Sequence, residues 1–170
     1  DHETELSKVM TRLIERMTER LSLIEAEIAI LDKEIDNQNK VDTRCKRLLE
    51  IPGVGRLAAS AIVASVGNAK EFKSGRQFSA WLGLVPRQYS SGGKQNLQGI
   101  SKRGDAYIRK MLIHGARAVV RHMNKNNAPV EWIEQLSMRR HNNVVIVAVA
   151  NKLARIVWAL LSKEQRYAIS

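Results

Sequence analysis

Eight apolar residues near the start of the chain restrict its fold more than any other feature. Met10, Ile14, Met17, Leu21, Ile24, Ile28, Leu31 and Ile35 follow one another at spacings of four and three in strict alternation. That rhythm is the a/d seam of a heptad repeat, held for almost four heptads without a Gly or Pro to break it. A stripe two residues wide in seven is narrower than the apolar face of a helix lying on a domain. Residues 1–40 are therefore expected to form a long helix that pairs with another, as a coiled coil or helical hairpin. Its role would be to join subunits into a homo-oligomer, with Asn37-Gln38-Asn39-Lys40 as the joint where the seam ends.

The rest of the chain reads as a compact helical domain over residues 41–170. Asp42–Glu50 is a short helix. It runs through Ile51-Pro52-Gly53-Val54-Gly55-Arg56 into the Ala-rich helix Leu57–Val66, which Gly67-Asn68-Ala69 ends. Further helices are predicted over Phe72–Gly83, Asp105–Met123 (with Asp105 as N-cap) and Val130–Arg140. A last one runs from Asn143 to about Arg166 and is apolar almost all round in its first half, as a central buried helix is. Leu84–Arg103, with Pro86, Gly92, Gly93 and Gly99, reads as an extended loop. No stretch of 41–170 sustains period-two alternation, so the fold class is all-α.

Charge is distributed unevenly. Residues 1–40 carry a net −4 and the remaining 130 a net +15, and between Phe72 and Asn126 eleven bases face a single acid, Asp105. A local excess of Lys and Arg points to a polyanion, because phosphate contacts release condensed counterions. Aromatics make up only 5% of the chain, which argues against a stacking platform for single-stranded bases. Cys45 is alone, which excludes a disulfide framework or a Cys/His zinc cluster and suits a reducing compartment. The longest apolar run, Val144–Ala150, is too short to span a bilayer before Lys152 and Arg155 interrupt it, so no membrane partner is expected.

Two segments carry candidate chemistry. Two helices joined by Ile-Pro-Gly-Val-Gly make a helix-hairpin-helix, in which Gly53 and Gly55 let the backbone approach a phosphate and the amides opening the second helix point at its oxygens. Arg56 adds a charge there. Such contacts position nucleic acid without reading its sequence. The same unit also serves elsewhere as a plain αα-turn with a Gly C-cap. Downstream, Ser90 and Ser91 precede Gly92-Gly93 between Arg87 and Lys94, cations able to stabilise a developing phosphorane charge. On spacing alone a serine here is as readily a polar loop residue as a nucleophile. His114 and His122 sit on the following helix, and His114 is expected to pack or touch backbone.

The order of these motifs resembles one family. Ile51-Pro-Gly-Val-Gly55, Phe78-Ser-Ala-Trp-Leu-Gly-Leu-Val-Pro-Arg87, Ser90-Ser-Gly-Gly-Lys94, Gly99-Ile-Ser-Lys-Arg-Gly-Asp105 and Ile108-Arg-Lys-Met-Leu-Ile-His-Gly-Ala-Arg117 are similar to the C-terminal domain of bacterial insertion-sequence transposases of the "one-ten" family. The match is nearest the "eleven-eleven" subgroup and the related Piv-type DNA invertases, and it covers about residues 45–165. The resemblance implies DNA transposition by an enzyme with three parts: a RuvC-like domain whose four acids hold Mg²⁺, a coiled coil, and a domain with one catalytic serine. Only the last two parts match here. The serine attacks a DNA phosphodiester in an active site shared between subunits, and in part of the family a bridge RNA pairs with donor and target DNA.

Carried onto this sequence, the family's Ser-Gly pair falls on Ser91-Gly92, with Ser90 the close competitor. Arg87, Lys94, Lys102, Arg103 and Arg109 are the implied nucleic-acid contacts, beside Gly53, Gly55 and Arg56 as backbone clamps. No metal or other cofactor is expected in this chain, because the Mg²⁺-holding acids match nothing in it and the fragment alone should be inactive. The expected partners are DNA, a guide RNA and further copies of the chain, in the bacterial cytoplasm at the nucleoid. The alternative is a non-enzymatic helix-hairpin-helix module that binds nucleic acid and dimerises through its coiled coil.

Overall fold

The computed structural model describes residues 7–91, 94–122 and 130–168, with backbone alone for 89–97 and 130. The chain divides into two units, Asp1–Gln38 and Asn39–Ser170. Helix α1 spans Lys8–Val41, so the Asn37–Lys40 segment expected to end it stays helical. Its last turn is held by a tertiary contact rather than a breaker: Asn39 is buried, and its Nδ2 donates to the Arg56 carbonyl at 3.1 Å. In the first unit the seam is bare. Met10, Ile14, Met17, Leu21, Ile24, Ile28 and Leu31 are 44–72% exposed.

The second unit is a helical bundle: α2 (Thr43–Leu49), α3 (Arg56–Val66), a 3-10 turn (Ala69–Glu71), α4 (Gly75–Trp81), α5 (Ala106–Arg121), α6 (Val130–Ser137) and α7 (Asn142–Lys163). Helices α2, α4 and α5 each start where a side chain satisfies amides that lack an intrahelical partner. Asp42 accepts from the Arg44 amide at 2.8 Å, Ser74 from Gln77, and Asp105 from Tyr107 and Ile108 at 2.8 and 3.0 Å. Helix α7 runs through the middle and packs on α5, α4, α2, α6 and the 3-10 turn. By length and composition alone it is long and apolar enough to cross a membrane. Eight of its residues, from Val145 to Leu160, nevertheless lie buried among side chains of the other helices, as expected of a core helix.

The Leu84–Arg103 segment corrects the expected loop. Pro86–Ser91 (β1) and Lys94–Ile100 (β2) form an antiparallel ribbon, pairing Pro86 with Ile100, Gln88 with Leu97 and Ser91 with Lys94. The register slips between Pro86 and Gln88, a bulge that leaves Gln98 and Gly99 against Arg87. Neither strand alternates apolar with polar residues, so no period-two signal exists; a two-stranded ribbon is set by its ladder and its turn. Around it the helices keep the all-α class.

Candidate nucleic-acid interface

The root of the ribbon is fixed in the core, which places the basic residues flanking it. Phe72, Phe78 and Trp81 cluster with ring centroids 5.1 to 5.7 Å apart, and the Trp158 indole donates to the carbonyls of Ala69 and Phe72. Leu82 and Leu84 are fully buried beyond them, and Asn151 on α7 donates to the Leu84 carbonyl at 3.0 Å. The two ends of the ribbon are then laced together: the Ser101 amide donates to Val85 and the Lys102 amide to Gly83. This close approach needs glycine twice. A Cβ on Gly83, at φ 71°, would run into Arg103, and one on Gly104, at φ 86°, into the Trp81 carbonyl.

Arg87, Lys102 and Arg103 are exposed around this root. Lys102 holds φ 56°, a left-handed backbone that costs a non-glycine residue about 1 kcal/mol or more. Strain of this kind concentrates where a side chain must be presented in one direction. Arg109, implied as a phosphate contact, is occupied otherwise. Its Nη1 donates to Leu82 at 3.0 Å, Arg103 at 3.3 Å and the Asp105 carbonyl at 3.5 Å, which makes it a strut under the loop. Ser90 and Ser91 lie on β1 near the end of the ladder, where Ser91 faces Lys94 across the ribbon. Gly92 and Gly93 lie outside the described residues, as do the side chains of Ser90, Ser91 and Lys94.

The Ile51–Gly55 turn joins α2 to α3, with the Val54 amide donating to Ile51 at 3.0 Å. Gly53, at φ 88°, faces inward: a Cβ there would lie 2.8 Å from the Gly115 carbonyl and 2.8 Å from Val119 Cγ2 on α5. Gly53 and Gly115 thus meet backbone to backbone, and Gly53 serves the turn and its packing. Gly55 is the open one. It is the N-cap of α3 with extended backbone, no side-chain cap, and nothing within 4 Å of the place a Cβ would occupy. The amides opening α3 follow it, with Arg56 beside them. His114, expected to pack, is exposed on α5.

Sequence reasoning missed a groove of about 1690 Å³ beside the ribbon root. Lys102 lines it together with Arg76, Arg140, Lys152 and Arg155, and among the described residues no acidic one does. Trp132 forms part of its wall, with Lys152 Nζ 4.9 Å from the indole centroid, a cation–π contact. Lys152 and Arg155 stand three apart on α7, a spacing that puts both on one face and was available as a signal. Among the described residues no three His, Cys, Asp or Glu side chains converge as metal ligands would.

Comparison with known proteins agrees with the motif order. Residues 45–131 match the family described as "Transposase IS116/IS110/IS902 family". A Pseudomonas aeruginosa protein described as "Probable family 20 transposase" is 54% identical over 93% of this chain and 47% of its own length. The "Transposase for insertion sequence element IS1111A" of Coxiella burnetii is 48% identical over 88% of the chain and 41% of its own length. The "Pilin gene-inverting protein" of Moraxella bovis is 24% identical over 75% of the chain and 40% of its own. The chain thus spans less than half the length of these relatives. It belongs to the IS116/IS110/IS902 transposase family.

Proposed function

We propose that this chain is the coiled-coil and serine-bearing part of a DNA transposase. Residues 39–170 grip nucleic-acid phosphates and supply the nucleophile, and the seam of α1 pairs copies of the chain. The observation that carries this is the placement of Ser91, inside the family match, on a ribbon rooted among cations and nearly free of acids. Ser90 is its competitor. Oγ of the serine bonds to phosphorus while the bond to the leaving deoxyribose oxygen breaks, leaving a phosphoserine ester and a free hydroxyl on the DNA. Attack on that ester by a hydroxyl of another DNA end regenerates the serine and rejoins the strand.

Lys94, opposite Ser91 on the ladder, balances the charge of the five-coordinate phosphorus, and Arg87, Lys102 and Arg103 at the root of the ribbon hold adjacent phosphates. Arg109 holds their loop, and the start of α3 at Gly55 and Arg56 clamps a backbone phosphate in the manner of a helix-hairpin-helix. A serine hydroxyl needs a base, a metal or both to react at neutral pH. The described residues offer no carboxylate cluster; a RuvC-like domain of a longer protein would hold Mg²⁺ through its acids, and that ion would supply the activation. A guide RNA presents the same phosphates to the same cations. The site of action is the bacterial nucleoid.

The test is to trap covalent DNA–protein adducts with the full-length enzyme and Mg²⁺ and map the linked residue by mass spectrometry. An adduct on Ser91, abolished in Ser91→Ala with DNA affinity retained, is expected. An enzyme that binds and recombines DNA with both Ser90 and Ser91 replaced by Ala would refute the nucleophile, and the absence of recombination in any form would favour the binding-module reading.

A further inference from the structure

We propose that α1 pairs with a second copy of itself in antiparallel orientation, centred between Ser22 and Leu23. This rests on the pairing of copies proposed above and adds its direction. Three observations lead there. The seam residues are all exposed from Met10 to Leu31, so the first unit leaves its apolar face uncovered. The charge of the helix is polarised about its middle: Lys8–Ser22 holds four bases and two acids, whereas Leu23–Gln38 holds five acids and one base. An antiparallel pair sets the positive half of each helix on the negative half of the other, and a parallel pair sets like on like. The antiparallel arrangement also opposes the helix dipoles.

Register gives the third. With Ile14, Leu21, Ile28 and Ile35 as a positions and Met10, Met17, Ile24 and Leu31 as d positions, an antiparallel pair stacks Leu21 on the partner's Ile24, Met17 on the partner's Ile28 and Ile14 on the partner's Leu31. Every a residue then meets a d residue over the full seam. On the flanks Arg20 meets the partner's Glu27, twice by symmetry, and Thr18 meets the partner's Glu25. No like charges oppose. A parallel pair keeps one attraction, Arg20 with the partner's Glu25, but sets Glu27 against the partner's Asp32 on both sides. Charges at these flanking positions choose partner and orientation in coiled coils.

The test uses the 170-residue chain with nitroxide labels on Leu13→Cys or Glu34→Cys; Cys45 is 1% exposed and stays unlabelled. Antiparallel pairing separates two labels at position 13 by about 28 Å along the axis, from 1.5 Å rise per residue, and brings a label at 13 beside one at 34 in mixed samples. A short 13–13 distance with a long 13–34 distance would overturn the orientation and leave the pairing intact. Monomeric sedimentation with no dipolar coupling would overturn the pairing itself. Charge reversal gives an independent reading. Glu27→Arg should weaken dimerisation roughly ten-fold, and adding Arg20→Glu should restore it to within about two-fold. A parallel pair would instead be tightened by Glu27→Arg, which relieves its repulsion.

Discussion

Replacing Gly115 by Ala tests whether the turn at Gly53 is held by backbone contact with α5. In an open helix this substitution stabilises, since Ala exceeds Gly by about 1 kcal/mol in helix propensity. Here the added methyl would overlap the Gly53 carbonyl oxygen and lie 2.8 Å from the carbonyl carbon. Both are main-chain atoms of a turn whose own residue is at φ 88°, so neither can swing aside as a flexible side chain could. Overpacking of this kind costs roughly 1–3 kcal/mol or more, because helix or turn must shift. With a direct backbone overlap the upper end applies, and after the propensity gain the net loss is about 2 kcal/mol. For a unit of this size that is a fall in Tm of roughly 6–10 °C. Thermal unfolding followed by circular dichroism at 222 nm, on Gly115→Ala beside the parent, reads it directly. A rise in Tm would show that α5 and the turn do not touch as described and would remove the reason given for glycine at both positions.

Three further outcomes follow from the geometry. Gly55→Ser should stabilise the fold by a few tenths of a kcal/mol, because Gly55 is an N-cap with extended backbone and open space for a side chain; the same variant should weaken DNA binding in a gel-shift titration if phosphate approaches those amides. Lys102→Gly should raise the urea midpoint slightly by relieving the left-handed backbone, and should lower DNA affinity and flatten its salt dependence by about one unit of slope. Asp42 is the pH-sensitive cap. The hydrogen bond from the Arg44 side chain holds its carboxyl below the usual value, so its contribution is present above about pH 4 and is lost as pH falls through the lowered value. Arg44 is about half exposed, which keeps the effect under about 1 kcal/mol. Asp42→Asn should therefore narrow the stability difference between neutral and acid pH, measured by urea unfolding.

The helices were legible because their causes are local. Asp105 is three residues before Ile108 and caps it, and the apolar wrap of Val144–Leu153 already marks a core helix. The ribbon was not legible, since Pro-Arg-Gln-Tyr-Ser-Ser and Lys-Gln-Asn-Leu-Gln-Gly-Ile show no alternation and owe their pairing to backbone bonds. Arg109 illustrates a different limit. Its sequence neighbours are those of a phosphate-binding arginine, and only the fold brings the Leu82 carbonyl, 27 residues away, within 3.0 Å. Gly115 likewise looks like any helical glycine until Gly53 arrives against it. The candidate serine was legible only by resemblance, as nothing in Ser90-Ser91 distinguishes a nucleophile from a loop hydroxyl.

The central position of α7 has a consequence for synthesis of the protein. Eight of the 24 buried apolar residues described belong to it, and they touch elements that begin a hundred residues earlier. A ribosome that has made the turn, the ribbon and α5 has therefore released a chain that still lacks the central helix on which α2, α4, α5 and α6 pack. Until Leu160 emerges, the second unit is a set of exposed apolar faces, open to chaperones and proteases. A message cut short before α7 thus yields a second unit without eight of its described buried apolar residues.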